Sequence, residues 1–335
     1  MYKLKLKDGY ESKLSLRETQ RAIKLISDTF QTELSAALNL ERISAPLFVT
    51  KESGINDDLN GVERKVSFTA REAGVETEIV QSLAKWKRMA LKRYGFSAGE
   101  GLYTNMNAIR MDDDMDNLHS IFVDQWDWEK IITREQRNEE FLKETVKSIV
   151  GAVARTQEAV KKAYPQITNT VCEDVFFITT QELEDMFPEL SPDERENEIV
   201  KLHKTVFVMQ IGGVLKSGIK HGGRAPDYDD WSLNGDIIFR DDAIDGAIEI
   251  SSMGIRVDEK SLIEQLKLCN NEDRLGFDYH RQIANGELPL TIGGGIGQSR
   301  LCMFLLEKLH IGEVQSSIWP AEMYKTCAEN GIVIL

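Results

Sequence analysis

The spacing of apolar residues predicts a long amphipathic helix near the start of the chain, over residues 15–39. Five apolar residues recur there at helical spacing: Ile23, Ile26, Phe30, Leu34 and Leu38. Ser15 and Glu18 form a capping-box pattern at its start. The same criterion predicts further helices at 84–94, 136–163, in two stretches within 181–203, at 258–269 and 274–285, and after residue 297.

Short runs of apolar residues predict the strands. They lie at 43–49, 62–69, 75–80, 102–110, 119–128, 175–179, 205–211, 235–240 and 246–252. These strands come in clusters with helices between the clusters, which predicts an α+β fold with a mixed or antiparallel sheet flanked by helices. No linker or internal repeat interrupts the sequence. We therefore expect one domain over residues 1–335, with about residues 1–14 as an N-terminal extension.

One predicted strand alternates between polar and aromatic residues. Gln125, Asp127 and Glu129 would lie on one face, and Trp126 and Trp128 on the other. Such a strand packs through one face and presents polar groups on the other, as the floor of a binding site does. The alternative is an amphipathic strand at the protein surface.

Glycines cluster near the end of the chain, in residues 292–301 (IGGGIGQSRL). Glycine lets a backbone come close to a ligand, and a helix start followed by Arg300 suits a bound polyphosphate. The run matches neither the P-loop nor the dinucleotide fingerprint. The alternative is a glycine-rich turn that leads into a core helix.

An acidic stretch, residues 224–231 (RAPDYDDW), suits a small zwitterion, because its arginine can bind a carboxylate and its aspartates an ammonium. Asp236 and Glu249 lie on adjacent predicted strands and would suit Mg²⁺. The period of two places Glu249 and Ser251 on one face and Ser252 on the other. The alternatives are a solvated acidic loop and two carboxylates in solvent.

Composition narrows the classes of function. A net charge of −14 argues against a nucleic-acid-binding surface, which is usually basic. The four cysteines form no C-x-x-C pair and the five histidines show no zinc spacing, as in an intracellular protein with reduced thiols. No run is apolar enough for a membrane span. We therefore expect a cytoplasmic location, no membrane and no nucleic-acid partner.

Seven blocks of the sequence, in order from about residue 15 to about 320, resemble the ammonia-dependent asparagine synthetase (aspartate–ammonia ligase) family. They are SLAKWKR (82–88), FSAGEGLYT (96–104), VDQWDWE (123–129), RAPDYDDW (224–231), NGDI (234–237), SSMGIR (251–256) and IGGGIGQSRL (292–301). The family is similar in fold to the catalytic domain of class II aminoacyl-tRNA synthetases. The resemblance thus implies an antiparallel sheet flanked by helices, a single catalytic domain and a homodimer.

The resemblance also implies a reaction. L-Aspartate and ATP would form β-aspartyl-AMP and pyrophosphate with Mg²⁺ as cofactor, and ammonia would then displace AMP to give L-asparagine. Arg110 takes the place of the family's motif-2 arginine and Arg300 that of its motif-3 arginine. Asp57 would bind the ammonium and accept its proton, and Gln125 would hydrogen-bond the acyl oxygen or the new amide.

The remaining site residues follow from the same resemblance. ATP would contact Arg110, Asp113, Ser120, Asp236, Glu249, Ser252, Gly294, Gly295 and Arg300, with Asp236 and Glu249 as metal ligands. Aspartate would contact Ser82, Lys87, Asp127, Arg224, Asp229 and Ser251.

Two positions depart from the family pattern. Asp113 stands where the family has glutamate, so its contact with ATP would be looser or reach through water. The assignment of Asp57 competes with that of its neighbour Asp58. The rival functions are a divergent class II tRNA synthetase and a non-catalytic relative that binds aspartate or adenylate. The chain has no spare length for an anticodon-binding domain, which argues against the first, and it keeps the arginines and carboxylates, which argues against the second.

Overall fold

The fold is built on one large sheet and one small one. The computed structural model describes residues 4–57, 59 and 63–335. The helices are α1 (Leu16–Leu38), α2 (Ala84–Tyr94), α3 (Glu139–Ala163), α4 (Thr180–Met186), α5 (Pro192–Leu202), α6 (Glu259–Leu268), α7 (Asp278–Ala284), α8 (Gln298–Leu305) and α9 (Ala321–Glu329). The strands are β1 (Leu40–Arg42), β2 (Phe48–Thr50), β3 (Ser67–Ala70), β4 (Val75–Ile79), β5 (Gly101–Ile109), β6 (Phe122–Ile131), β7 (Phe176–Thr179), β8 (Thr205–Met209), β9 (Asp229–Asp241), β10 (Gly246–Arg256) and β11 (Thr291–Gly297).

In the described residues the large sheet has the strand order β1-β5-β6-β11-β10-β9-β8-β7. Within this order, the six central strands β5-β6-β11-β10-β9-β8 pair antiparallel with one another. The two outer pairs, β1 with β5 and β7 with β8, are parallel. The predicted α+β class is confirmed, and its sheet is mostly rather than wholly antiparallel. A separate small sheet has the order β2-β4-β3.

The predicted long helices are confirmed. The capping box of α1 forms as expected between Ser15 and Glu18, and α2 spans residues 84–94 as predicted. The clearest difference is the glycine run. Residues 292–297 lie within β11, a strand in the middle of the large sheet, and not in a turn. Helix α8 begins directly after it.

The two faces of the large sheet differ. One face is apolar and is covered by α1, α3 and α8; Phe30 of α1 lies 4.8 Å, between ring centroids, from the fully buried Trp126. Trp128 is buried in the same core, so the predicted alternation of β6 is confirmed. Residues before α1 also join this core through Leu4, Tyr10 and Leu14. The other face of β6, β11 and β10 is left for polar groups.

No helix among residues 4–57, 59 and 63–335 is long and apolar enough to cross a membrane.

Candidate active site

Two adjoining cavities open on the polar face of the large sheet. The larger has a volume of about 710 Å³ and the smaller about 70 Å³. Arg110, Gln125 and Gly295 line both of them. A nucleotide therefore has room only in the larger cavity, while a small polar molecule fits the smaller one, and the two would meet at Arg110.

The larger cavity holds most of the predicted ATP ligands. Those that line it are Arg110, Asp113, Ser120, Glu249, Gly295 and Arg300. Arg110 follows the end of β5 and donates from Nη2 to the carbonyl oxygen of Gln81 at 3.2 Å, while its buried Nε has no partner in the described part of the chain. Arg300, in α8, donates to the carbonyl oxygen of Glu249 at 3.2 Å. Both arginines thus reach the cavity from fixed backbone positions.

Carboxylates outnumber cations around the larger cavity. Its acidic lining residues are Glu63, Asp112, Asp113, Asp114, Asp116, Asp124 and Glu249, against two arginines. Burial raises the pKa of Asp113. A polyphosphate would be repelled there unless cations entered with it. The donor set therefore fits a divalent cation that binds together with phosphate oxygens.

The predicted metal pair is only partly placed for that cation. Glu249 lines the larger cavity, with its carboxylate 3.5 Å from Nη1 of Arg300. Asp236 instead accepts a hydrogen bond from Nη2 of Arg224 at 2.6 Å. Among the described residues no three His, Cys, Asp or Glu side chains come together as a metal site. Mg²⁺ usually takes one or two carboxylates plus phosphate and water oxygens, which suits Glu249 alone.

Arg224 has a different set of neighbours from the predicted one. Its guanidinium contacts Asp236, Ser252 and, at 3.7 Å, Asp229, and it does not line the smaller cavity. Burial and the nearby carboxylate of Glu249 together raise the pKa of Asp236 to about 7, although Arg224 acts in the opposite direction. In this structure Arg224 is therefore paired with protein carboxylates, and its contact with aspartate stays a prediction.

A β-bulge corrects the predicted faces of β10. The register with β9 shifts between Glu249 and Ser251, so that Ser251 pairs with the core residue Ile237 and Ser252 pairs with Asp236. The face prediction was wrong because an extra residue breaks the period of two. Glu249 and Ser252 share the polar face. Ser251 is turned toward the core residues Ile237 and Ile296, and its buried Oγ has no partner among the described residues.

The smaller cavity collects the predicted aspartate ligands. Ser82, Lys87, Asp127 and Asp229 line it, with Asp57, Arg110, Gln125, Ser252, Gly294 and Gly295. Lys87 in α2 pairs with Asp127 of β6, and its Nζ also donates to the carbonyl oxygens of Trp128 at 2.9 Å and Gly294 at 3.1 Å. Burial lowers the pKa of Lys87 and raises that of Asp127.

A buried arginine links the two sides of this cavity. Arg256 at the end of β10 donates from Nε and Nη2 to the two carboxylate oxygens of Glu129, at 3.0 and 2.8 Å, and from Nη1 to Asp229. Glu129 also accepts from Thr291 at 2.7 Å. Asp229 is therefore held in place through its Oδ1, and its carboxylate lines the cavity.

Asp57 is the buried carboxylate of the cavity. It is 2% exposed; its Oδ1 accepts from the backbone N–H of Leu59 at 3.1 Å, and its Oδ2 has no partner among the residues that the structure describes. Burial raises its pKa, and nearby Lys85 lowers it. The free oxygen can take a small cation or proton. The competing residue, Asp58, lies outside the described residues.

The glycines of β11 make room for polar side chains as well as for a ligand. A methyl group at Gly293 would lie 2.6 Å from Nη2 of Arg256, and one at Gly295 would lie 2.7 Å from Cδ of Gln125. Gly294 faces the opposite side, toward Met253. The alternative of a glycine-rich turn is thus wrong, since the run lies in a strand. The glycines let the side chains of β6 and β10 occupy the sheet face, and the contact of Gly294 and Gly295 with ATP stays a prediction.

Some residues of the site were not predicted to bind substrate. Tyr228 and Arg256 line the smaller cavity, and Glu129 holds Arg256. The sequence pointed to two of them. Glu129 lies on the same predicted strand face as Gln125, and Arg256 ends one of the resembling blocks. Asp227 and Lys85 form a buried pair behind the cavity. Both lie within resembling blocks, but nothing in the sequence indicated that they contact each other.

Relatives of known family cover nearly the whole chain. A sequence model of the family described as aspartate-ammonia ligase matches residues 17–331. An aspartate–ammonia ligase of Ligilactobacillus salivarius is 60% identical over 97% of this chain and 98% of its own length. One of Ruminiclostridium cellulolyticum is 58% identical over 98% of both chains, and one of Clostridium perfringens is 57% identical over the full length of both.

Solved structures show the same fold at low identity. The asparaginyl-tRNA synthetase of Pyrococcus horikoshii, complexed with asparaginyl-adenylate, matches 90% of this chain and 70% of its own, with a TM-score of 0.67 and 15% identity. The aspartyl-tRNA synthetase of Entamoeba histolytica matches 89% of this chain and 57% of its own, with a TM-score of 0.59 and 15% identity. At this identity the likeness concerns the fold alone, and it confirms the class II synthetase architecture.

Proposed function

The chain belongs to the aspartate–ammonia ligase family, whose reaction makes asparagine from aspartate and ammonia, and from that premise we propose that it works through a β-aspartyl-AMP intermediate made from ATP. The observation that carries this proposal is the meeting of a nucleotide-sized cavity and a small polar cavity at Arg110, Gln125 and Gly295. Two substrates bound there would touch where the cavities join.

Aspartate occupies the smaller cavity in this proposal. Lys87 and Arg256 supply positive charge for its α-carboxylate, and Asp127 and Asp229 supply negative charge for its α-ammonium. The side chain then points toward Arg110. Because each of these groups is already paired within the protein, substrate binding exchanges existing ion pairs for new ones and exposes no lone buried charge.

ATP occupies the larger cavity, with its α-phosphate at the junction and its outer phosphates near Arg300. An oxygen of the aspartate β-carboxylate attacks the α-phosphorus, the bond to the bridging oxygen breaks, and pyrophosphate leaves with that electron pair. Arg110 holds both reacting groups and stabilises the negative charge that develops between them. The contribution of the protein is mainly positioning and charge neutralisation.

Mg²⁺ enters with ATP in this proposal. When bound, it neutralises phosphate charge, and Glu249 is the residue of the predicted pair that is placed to hold it. Asp236 instead fixes Arg224, which in turn contacts Ser252. Asp236 therefore shapes the wall of the site through Arg224.

Ammonia reacts in the second step. Asp57 binds ammonium through its free oxygen and accepts a proton, since only the neutral amine is a nucleophile. The nitrogen attacks the acyl carbon, the bond between that carbon and the phosphate oxygen breaks, and AMP leaves with that electron pair. The nitrogen then loses a second proton to solvent and becomes the amide. Gln125, at the junction, donates to the acyl oxygen. A homodimer in the cytoplasm, as the resemblance implies, stays a prediction.

The products distinguish the proposal from its rivals. The protein is incubated with ATP, Mg²⁺ and L-aspartate, with and without ammonium. Asparagine and AMP should form only with ammonium. ADP as product, or glutamine acting as well as ammonium, would contradict the proposal. Charging of tRNA with aspartate would favour a synthetase.

A further inference from the structure

A buried cluster of charged side chains lies behind the smaller cavity, and the proposed reaction does not use it. We call it the Asp227 cluster: Lys85, Asp227, Arg274 and His280. Oδ2 of Asp227 lies 2.8 Å from Nζ of Lys85, 2.7 Å from Nη1 of Arg274 and 2.9 Å from Nε2 of His280. Lys85 and Asp227 are 2% and 0% exposed. Burying a charged lysine is costly unless the charge is paired, as it is with Asp227 here. What this buried pair does for the protein calls for an explanation.

Lys85 is tied to the loop that carries Asp57. Its Nζ lies 3.5 Å from the carbonyl oxygen of Asn56, the residue before Asp57. The side chain of Asn56 fixes this loop, since its Oδ1 accepts from the backbone N–H groups of Asp57 at 3.0 Å and Gln81 at 2.9 Å. Asp57 and Lys85 are therefore both hydrogen-bonded to Asn56, which places them side by side.

Asp57 needs a nearby cation to do its work. A carboxylate that is almost fully buried and accepts one hydrogen bond tends to be protonated, and a protonated acid can neither attract ammonium nor take its proton. Within the described part of the chain, the charged groups that face it come from three elements. Lys85 on α2 and Arg110 after β5 lower its pKa, whereas burial and Asp227, in the loop before β9, raise it. Tyr228 is its uncharged neighbour.

Of the two cations, Lys85 is the one that stays available throughout the reaction. Arg110 lies at the junction, where the proposed reaction engages it with phosphate and carboxylate. Asp227 shares one oxygen among Lys85, Arg274 and His280, so it neutralises the charge of Lys85 incompletely.

We infer that Lys85 is a positioning residue for the ammonia step: its ammonium group, held by Asp227, keeps Asp57 ionised so that Asp57 can bind ammonium and accept its proton. The inference rests on the proposed role of Asp57. Lys85 touches neither substrate, and it acts only through Asp57.

The test is Lys85→Met, with the pH dependence of two reactions measured on the same protein. Asparagine formation from ammonium should need a pH about one unit higher to reach half its plateau, because loss of the cation raises the pKa of Asp57. Below that pH, asparagine formation by Lys85→Met should be about tenfold slower than that of the wild type. Aspartate-dependent exchange of pyrophosphate into ATP should keep its rate and its pH profile. Hydroxylamine, which is mostly uncharged at neutral pH, should react at the wild-type rate.

Controls separate charge from packing. Lys85→Arg keeps the cation and should keep the wild-type profile. Lys92→Met removes an exposed lysine of the same helix and should change nothing. If Lys85→Met fails to fold, Lys85→Gln still donates to Asp227, and its profile should shift in the same direction. An unshifted ammonia profile, or an equal loss of exchange and asparagine formation, would overturn the inference.

Asp57→Asn shows which claim has failed. If it reduces exchange and asparagine formation equally, the proposed role of Asp57 is wrong, and the inference falls with it. If it reduces asparagine formation selectively while the Lys85 variants leave the profile unchanged, the proposed function stands and only the role of Lys85 is wrong.

Discussion

A methyl group added at Gly293 should destabilise the fold far more than one added two residues later at Gly295. Both glycines lie in β11 and face β6 on the same side of the sheet. At Gly293 the methyl carbon would lie 2.7 Å from Cδ of Glu129 and 2.6 Å from Nη2 of Arg256, both in a buried ion pair. At Gly295 it would meet only the amide end of Gln125.

The magnitudes differ because one neighbour can move and the other cannot. Separating the Glu129–Arg256 pair should cost about 3–5 kcal/mol, offset by about 1 kcal/mol because alanine restricts the unfolded chain. Gly293→Ala should thus lose about 2–4 kcal/mol of a total stability of about 5–15 kcal/mol. Gly295→Ala should leave the free energy of unfolding nearly unchanged. The displaced Gln125 rotamer costs about 1 kcal/mol, and restriction of the unfolded chain by alanine offsets it. The rate of asparagine synthesis by Gly295→Ala should nevertheless fall about 100-fold, because the amide of Gln125 would no longer be positioned to donate to the acyl oxygen.

Denaturant unfolding of both variants and of the wild-type protein measures the first difference, and steady-state asparagine formation measures the second. Equal stability of the two alanine variants would refute the claim that Gly293 makes room for a rigid ion pair. A fully active Gly295→Ala would refute the placement of Gln125 at the reacting centre.

Three further outcomes are expected. Arg110→Ala should abolish aspartate-dependent pyrophosphate exchange while leaving the unfolding midpoint near that of the wild type; retained exchange would remove Arg110 from the first step. Glu249→Gln should raise the Mg²⁺ concentration needed for half-maximal activity, and an unchanged titration would exclude it as a ligand. Burial lowers the pKa of His310 from 6.5 to about 4. Its neutral form is thus favoured on folding, and stability should fall by about 3 kcal/mol as the pH drops from 6.5 to 4; a His310→Gln variant with the same pH dependence would show that other groups cause it.

Patterns of local spacing predicted the elements well. The capping box of α1 and the alternation of β6 are decided by neighbours in sequence, and both are confirmed. The alternative of a turn at the glycine run was wrong, because the local signal of glycine, its conformational freedom, is the same in a turn and in a crowded strand. What decides it is the bulk of Glu129 and Gln125 on the neighbouring strand, which is a tertiary fact.

The candidate site shows the same limit. Its residue types were largely predicted through the family resemblance, but their partners were not. Ser251 turned away from the site because a β-bulge shifts the register of β10, and no residue of that strand signals the bulge. The pairing of Arg224 with Asp236 was also not predicted, because it depends on how the chain folds onto the polar face. Lys85 and Asp227 are distant in sequence, and only the folded chain shows that they are a pair.

Under the proposed mechanism, aspartate is activated as an acyl adenylate at the junction beside Arg110. The most direct measurement follows heavy oxygen from L-aspartate that is labelled in both oxygens of its β-carboxylate. After turnover with ATP, Mg²⁺ and ammonium, the account predicts one labelled oxygen in the phosphate of AMP and the other in the amide of asparagine. Unlabelled AMP, or label in pyrophosphate or inorganic phosphate, would contradict it.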